Sequence, residues 1–297
     1  MHILSWQVAG QTDRGVKRSD NQDNFFISED RHVFAVADGM GGAKGGAMAS
    51  STAVESLRKS WDESLPDLNK PDQVRDWLLQ AVIDANKAVR EAAEASVDSK
   101  SMGTTIVIGV VDKLNVLHIA HVGDSRATLV RGDDSNGLTN DHSVVMEMHL
   151  RGQLTKEQCA ASPFKHLITR CLGHDENTQA DYRRLDLKHG DRIVLASDGL
   201  SEVVEEKEIG RLMEALCDPE EVCRMLVNTV LDRDAPDNVT IVTARFYCDK
   251  EAESNGATPA CCTEEASACE SDNGKEQVSS ATNLESADLQ SSNSQNC

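Results

Sequence analysis

Between residues 105 and 131 three apolar, β-branched runs follow one another, "TTIVIGVV", "NVLHIAHV" and "ATLVR", with only the turn-sized "DKLN" and "GDS" between them. Links that short cannot make the crossover that parallel strands require, so neighbours joined this way pair antiparallel. The spacing predicts a three-stranded meander. Other runs of the same kind are "DNFFIS", "HVFAVA", "DYRRLDL", "DRIVLAS" and "NVTIVTARF". Several are apolar without alternation, which marks strands covered on both faces.

The cover is supplied by helices. In "KPDQVRDWLLQAVIDANKAVREAAEA" the residues Val74, Trp77, Leu78, Ala81, Val82, Ala85, Ala88 and Val89 follow helical spacing, with Pro71 in the first turn. The small-residue stretch "GGAMASSTAVESLRKSW" suits a helix lying close against a sheet, and "SEVVEEKEIGRLMEAL" and "DPEEVCRMLVNTVLDR" predict two more, the second opening on acidic residues. Strands in hairpins and helices in pairs predict an α+β layered domain rather than a βαβ repeat.

The 297 residues are enough to bury a core unaided. The formal charge of −20 excludes a duplex nucleic-acid binder or attachment to an anionic membrane, both of which need a basic footprint, and suits a protein that holds cations. Nine cysteines, an odd number with no C-x-x-C pair, read as reduced thiols of a cytoplasmic protein, and "MHILSWQVAG" has no secretory pattern. Composition changes after Tyr247. The expectation is a domain over 1–247 and, over 248–297, an acidic tail rich in Ser, Asn and Glu, too poor in large apolar residues to order itself.

Chemistry enters at the strand ends. "FAVADGMGG" stops an apolar run on Asp38-Gly39, "RIVLASDGL" does the same on Asp198-Gly199, "LHIAHVGDS" delivers Asp124, and "DNVTIV" sets Asp237 just before another run. Asp-Gly is an ordinary turn, and one instance would mean no more than that. Its recurrence predicts that Asp38, Asp198 and Asp237 meet at one rim of antiparallel neighbours, where carboxylates repel unless cations lie between them. An all-oxygen ligand set favours Mg²⁺ or Mn²⁺ over zinc, with Ca²⁺ not excluded. A binuclear site of that kind can generate a bound hydroxide and hydrolyse a phosphoester, for which Arg18 is the natural guanidinium holder.

The ordered set "TDRGVKRSDNQD", "VADGMGG", "MGTT", "HVGDSRA", "LTNDHS", "ITRCLG", "LASDGL" and "DNVTIV" resembles the metal-dependent serine/threonine protein phosphatases of the PP2C (PPM) family, in their compact bacterial form, from about Ser5 to Tyr247. The resemblance implies a four-layer αββα fold, a central antiparallel β-sandwich flanked by helices, with two core Mn²⁺ or Mg²⁺ ions between the sheet edges. It implies that Asp38 bridges both ions, that the Gly39 carbonyl serves one, and that Asp198 and Asp237 complete the other. Asp23 would orient the metal-bound water, Asp124 with Asp198 would form a third, weaker site, and Arg18 would bind phosphate. The function implied is hydrolysis of phosphoserine and phosphothreonine by direct attack of metal-bound hydroxide. The substrates would be phosphorylated proteins made by a serine/threonine kinase, and the enzyme a monomer with neither nucleic acid nor membrane as partner. A catalytically inactive phosphoprotein-binding relative and a phosphatase of small metabolites are the alternatives.

One departure is Met40, which stands where many eukaryotic members carry a histidine assigned as general acid. A metal-bound water, or His166 in a flap over 144–170, could serve instead. The glycines of "GMGGAKGG" match neither nucleotide fingerprint. His118 and His121 lie three apart on a strand and so face opposite sides, which excludes joint chelation. His142 reads as structural as readily as catalytic. Cys171 reads as a buried thiol sooner than a reactive one.

Overall fold

The computed structural model describes residues 3–96 and 101–248. The tail expected over 248–297 lies outside the described residues beyond Cys248. The chain opens with β1 (Ser5–Asp13), β2 (Asp23–Ile27) and β3 (Val33–Met40), followed by helices α1 (Ala43–Glu63) and α2 (Pro71–Ala95). Next come β4 (Gly103–Thr104), β5 (Ile106–Val111), β6 (Val116–Val122), β7 (Arg126–Arg131) and β8 (Asp134–Gly137). Two short helices, α3 (Val144–Leu150) and α4 (Lys156–Ala161), precede β9 (Asp181–Asp186) and β10 (Arg192–Ala196). The order ends with α5 (Asp198–Ser201), α6 (Glu206–Ala215), α7 (Pro219–Leu231) and β11 (Val239–Tyr247).

The strands form two antiparallel sheets. One has the order β1-β11-β10-β7-β8, the other β2-β3-β5-β6-β9, with β4 attached to β3. Helices α1 and α2 cover the second sheet, α6 and α7 the first. The strand pattern shows why the runs are apolar on every residue. In β3, Val33, Ala35 and Ala37 pack toward the helices with Leu57, Trp61 and Leu78, while Phe34 and Val36 pack into the space between the sheets. There they meet Leu195, Val242 and Phe246 of the opposite sheet. Each fully buried large side chain in that layer contributes about 1.5–3 kcal/mol by leaving water. The third core joins Val194 and Ile241 to Leu226 and Val230 of α7. The four-layer αββα architecture expected from the sequence is the one observed.

Two expectations change. The meander holds for β5 and β6, but β7 leaves it and pairs with β10 in the other sheet. The far edge of β6 is already taken by β9, and Gly123, with φ +107°, turns the "GDS" segment across the layers instead of back along β6. The helix expected from Ser201 onward begins only at Glu206, because the chain turns at 202–205 and buries Val204 first. Two strands carry little sequence signal. β1 is an edge strand half-covered along its length, and β8, "DSNG", contributes no large apolar side chain.

Candidate metal centre between the sheets

Period two along a strand decides where Asp38 points. It shares the phase of Phe34 and Val36, so its side chain faces the gap between the sheets at the point where the apolar filling ends. Asp23 is its direct antiparallel partner on β2. From the opposite sheet, Asp198 opens α5 two residues past the end of β10, and Asp237 stands two residues before β11. Asp198 and Asp237 therefore come from neighbouring strands as the sequence predicts, but Asp38 does not: it reaches them from across the sandwich. Asp124 joins from the crossing between β6 and β7, close enough for its charge to act on both Asp38 and Asp198.

The backbone of Asp38 is held apart from its carboxylate. Its N–H donates to Thr105 Oγ1 at 3.0 Å, and its carbonyl accepts from Thr104 Oγ1 and from Thr105 N–H, both at 2.8 Å. On the other side, Ser197 Oγ donates to Asp23 Oδ2 at 2.8 Å. Asn238 ties the Arg18 loop to Asp237: its Nδ2 donates to the carbonyls of Arg14 and Asp20, and its Oδ1 accepts from Gln22 N–H. Thr105, Ser197 and Asn238 escaped the sequence reading as functional residues. Each lies inside a motif already quoted, and a hydroxyl or amide there has no signal of its own.

Gly39 has a reason the sequence did not show. A Cβ there would stand 2.0 Å from the Gly46 carbonyl oxygen and 2.7 Å from that of Gln22, so the glycine lets the first turn of α1 press against the strand end.

Crowding of carboxylates in a buried gap shows in their acidity. Burial first, then the charges of Asp23, Asp198, Asp124 and Asp237, hold Asp38 well above the usual carboxylate range. Asp198 is pushed up to about 8 by burial and then by Asp124, Glu202, Asp237 and Asp23. Asp23 rises to about 6, chiefly by burial, and Asp124 to about 6 by burial and Asp141. Asp23 Oδ1 and Asp198 Oδ1 are buried with no hydrogen-bond partner in the protein. Buried carboxylate oxygens of that kind are held by a cation or protonated. A hard divalent ion that takes only oxygen ligands fits this donor set, and zinc, which prefers nitrogen and sulfur, does not.

Arg18 lies at the rim, half its side chain exposed, with Nη2 2.5 Å from Asp237 Oδ2. That contact, then the charges of Asp198 and Asp38, raises its pKa. His166 sits on the 144–170 segment with Nδ1 2.8 Å from Glu202 Oε1, and Glu202, His166 and Asp198 present ligand atoms within 4.8 Å of one another. The flap closes on itself through Ser143 and Ile168, which pair as an isolated bridge. His118 and His121 are separate, as their spacing requires. His118 Nε2 faces Asp112 at 3.2 Å and its Nδ1 contacts the Tyr182 hydroxyl at 2.9 Å, whereas His121 Nε2 donates to the Asn140 carbonyl at 2.9 Å. Burial pushes the half-buried Cys171 thiol up to about 11, and Cys159, Cys171, Cys223 and Cys248 are free thiols. Among the described residues no helix is long and apolar enough to cross a membrane.

Residues 11–233 match the family described as protein phosphatase 2C. The chain belongs to the protein phosphatase 2C family. Among protein phosphatase 2C relatives, protein phosphatase PhpP of Streptococcus pneumoniae is 33% identical over 239 residues, 79% of this chain and 95% of that one. The solved serine/threonine phosphatase of S. agalactiae superposes with a TM-score of 0.75 at 32% identity, over 81% of this chain and 99% of that chain. The catalytic domain of the serine/threonine protein phosphatase PstP, solved in complex with two manganese ions, has a TM-score of 0.72 at 30% identity, over 82% and 99%. The protein phosphatase 2C match takes in Arg18, Asp23, Asp38, Gly39, Asp124 and Asp198 and stops four residues short of Asp237.

Proposed function

We propose that this chain is a metal-dependent phosphatase that hydrolyses phosphoserine and phosphothreonine in proteins. The observation that carries the reading is the meeting of Asp23 and Asp38 from one sheet with Asp198 and Asp237 from the other, with buried oxygens of Asp23 and Asp198 left without protein partners. Two Mn²⁺ or Mg²⁺ ions would be held by Asp38 and the Gly39 carbonyl on one side and by Asp198 and Asp237 on the other, with Asp124 and Asp198 offering a third position. Such ions supply activated water and neutralise phosphoryl oxygens.

The chain's own residues do the rest. Asp23, fixed by Ser197, orients the attacking water. Arg18 presents a two-pronged guanidinium at the open rim, matched to phosphate oxygens. For the proton that the departing alkoxide needs, which Met40 cannot give, a metal-bound water is the first candidate and His166, whose Nδ1 lies 2.8 Å from Glu202 Oε1, the second. The reading takes the enzyme as a cytoplasmic monomer acting on the products of a serine/threonine kinase, and the charge of −20 agrees with substrates other than nucleic acid.

Turnover of a phosphothreonine peptide, a small aryl phosphate and a nucleotide, each with Mn²⁺, with Mg²⁺ and with chelator, tests this. Metal-dependent release from the peptide at the highest kcat/KM is expected. Preference for the nucleotide would make the chain a metabolite phosphatase, and stoichiometric peptide binding without turnover an inactive relative.

A further inference from the structure

His142 stands where the flap begins, and it is 2% exposed. Its backbone N–H donates to the Gly123 carbonyl at 2.9 Å, and its own carbonyl accepts from Thr169 N–H, at the far end of the flap, at 2.7 Å. Its ring returns to Gly123: Nδ1 accepts the Gly123 N–H at 3.1 Å. Gly123 directly precedes Asp124. The side chain and backbone of one residue thus join the flap stem to the turn that carries Asp124.

The ring chemistry is determined by its partners. An amide donating to Nδ1 requires a lone pair there, so the neutral ring carries its proton on Nε2. Burial, then the stacked ring of His121 and the Arg170 charge, push the pKa of His142 down to about 4, which keeps it neutral. Nε2 lies 3.4 Å from Asp181 Oδ2 without forming a hydrogen bond. His121, His142 and Asp181 together have the spacing of a metal site, with ligand atoms within 4.8 Å. An ion on Nε2 would need the lone pair there and would force the proton onto Nδ1, against the Gly123 N–H. The bond to Gly123 and an ion at His142 exclude each other, and the bond is the one observed.

We propose that His142 is a positioning residue that holds the Asp124 turn and the flap stem in one arrangement, through its Nδ1 and its carbonyl. This rests on the proposed place of Asp124 in the metal centre. His142→Leu leaves a buried amide at Gly123 without an acceptor. His142→Asn sets its Oδ1 near the place of Nδ1, and His142→Gln reaches instead toward the place of Nε2.

The test compares the three variants in the full chain, with kcat and KM for a small aryl phosphate in Mn²⁺ and amide exchange at residues 123–125 and 143–169 in the metal-free protein. Per folded molecule, Leu and Gln should lose ~10-fold in kcat, the scale of one hydrogen bond, while Asn stays within about threefold of wild type. Exchange should quicken in both segments for Leu and Gln and not for Asn. Equal kcat, KM and exchange for Asn and Gln would overturn the proposal, and that pair decides it even if the Leu variant fails to fold. Asp124→Asn, measured in parallel, separates the two readings. If it is silent while exchange follows the expected order, the role given to Asp124 is wrong and the His142 coupling stands. If it is impaired while Asn and Gln behave alike, the coupling is wrong.

Discussion

Ser197 donates its hydroxyl proton to Asp23 Oδ2 at 2.8 Å across the gap between the two sheets, and the Ser197 Oγ itself accepts the Thr240 N–H at 3.0 Å. One hydroxyl therefore joins the end of β10 to the start of β2 and to β11, at the depth where the apolar filling stops. Ser197→Ala would strip both partners at once inside a buried layer. The expected cost is ~1–3 kcal/mol in urea unfolding of the metal-free protein, the range for a buried polar group left unpaired. A variant with wild-type stability would show that water replaces the hydroxyl and that the strap is dispensable.

Ionising Asp38 without a cation beside it costs the fold stability. Its neighbours Asp23, Asp198, Asp124 and Asp237 all work against its ionisation. Asp38→Asn removes the carboxyl whose ionisation those neighbours oppose. Without metal, the variant should be more stable than wild type by ~1 kcal/mol or more, while metal-dependent turnover falls at least ~1,000-fold. Opposite signs for stability and activity are the signature of a site kept for function. A variant that is both less stable and fully active would place Asp38 in a structural role.

Legibility in the sequence followed burial. β3 and β5 announce themselves because helices cover one face and the second sheet covers the other, leaving no position for a polar residue until Asp38. β1 is only partly covered along its length, carries the polar Ser5, Gln7, Gln11 and Thr12 among its residues and sits at a sheet edge, so "SWQVAGQTD" reads as nothing in particular. "GDS" spells a hairpin turn, and only the occupied edge of β6 sends it across the sandwich. The aspartates of the centre were visible because a carboxylate ending an apolar strand is conspicuous. Their arrangement was not, since nothing local says that Asp38 and Asp198 belong to different sheets. Ser197, Thr105 and Asn238 do their work through hydrogen bonds to residues 174, 67 and 216 positions away, and no short window contains both partners.

Away from the site, Arg131 grips Asp191 with Nε and Nη2, both at 2.6 Å, and Asp191 is completely buried. Arg131→Ala leaves that carboxylate without its charge partner, with only the Lys188 N–H still donating to it. The expected loss is ~3–5 kcal/mol in stability with kcat per folded molecule unchanged. A changed kcat in the surviving folded fraction would mean that this edge of the sheet communicates with the centre.

His142 gives the stability of the protein a component in acid. Its folded pKa, about 4, lies below the unfolded value near 6.5, so between those values the unfolded chain binds the extra proton. Stability from this group is full above about 6.5 and falls as the pH drops toward 4. The groups facing the ring are His121 of β6, Arg170 at the flap end and Asp181 of β9. Urea midpoints from pH 7 to pH 4.5 should fall more steeply for wild type than for His142→Asn. Parallel curves would show that the ring is protonated in the fold.

Manganese binding to the full chain by titration calorimetry, compared between wild type and Asp38→Asn, bears most directly on the claim that carboxylates from both sheets make one metal centre. At least two ions per wild-type chain, with the tight phase abolished in Asp38→Asn, is the expected result. Undiminished stoichiometry and affinity in Asp38→Asn would contradict it.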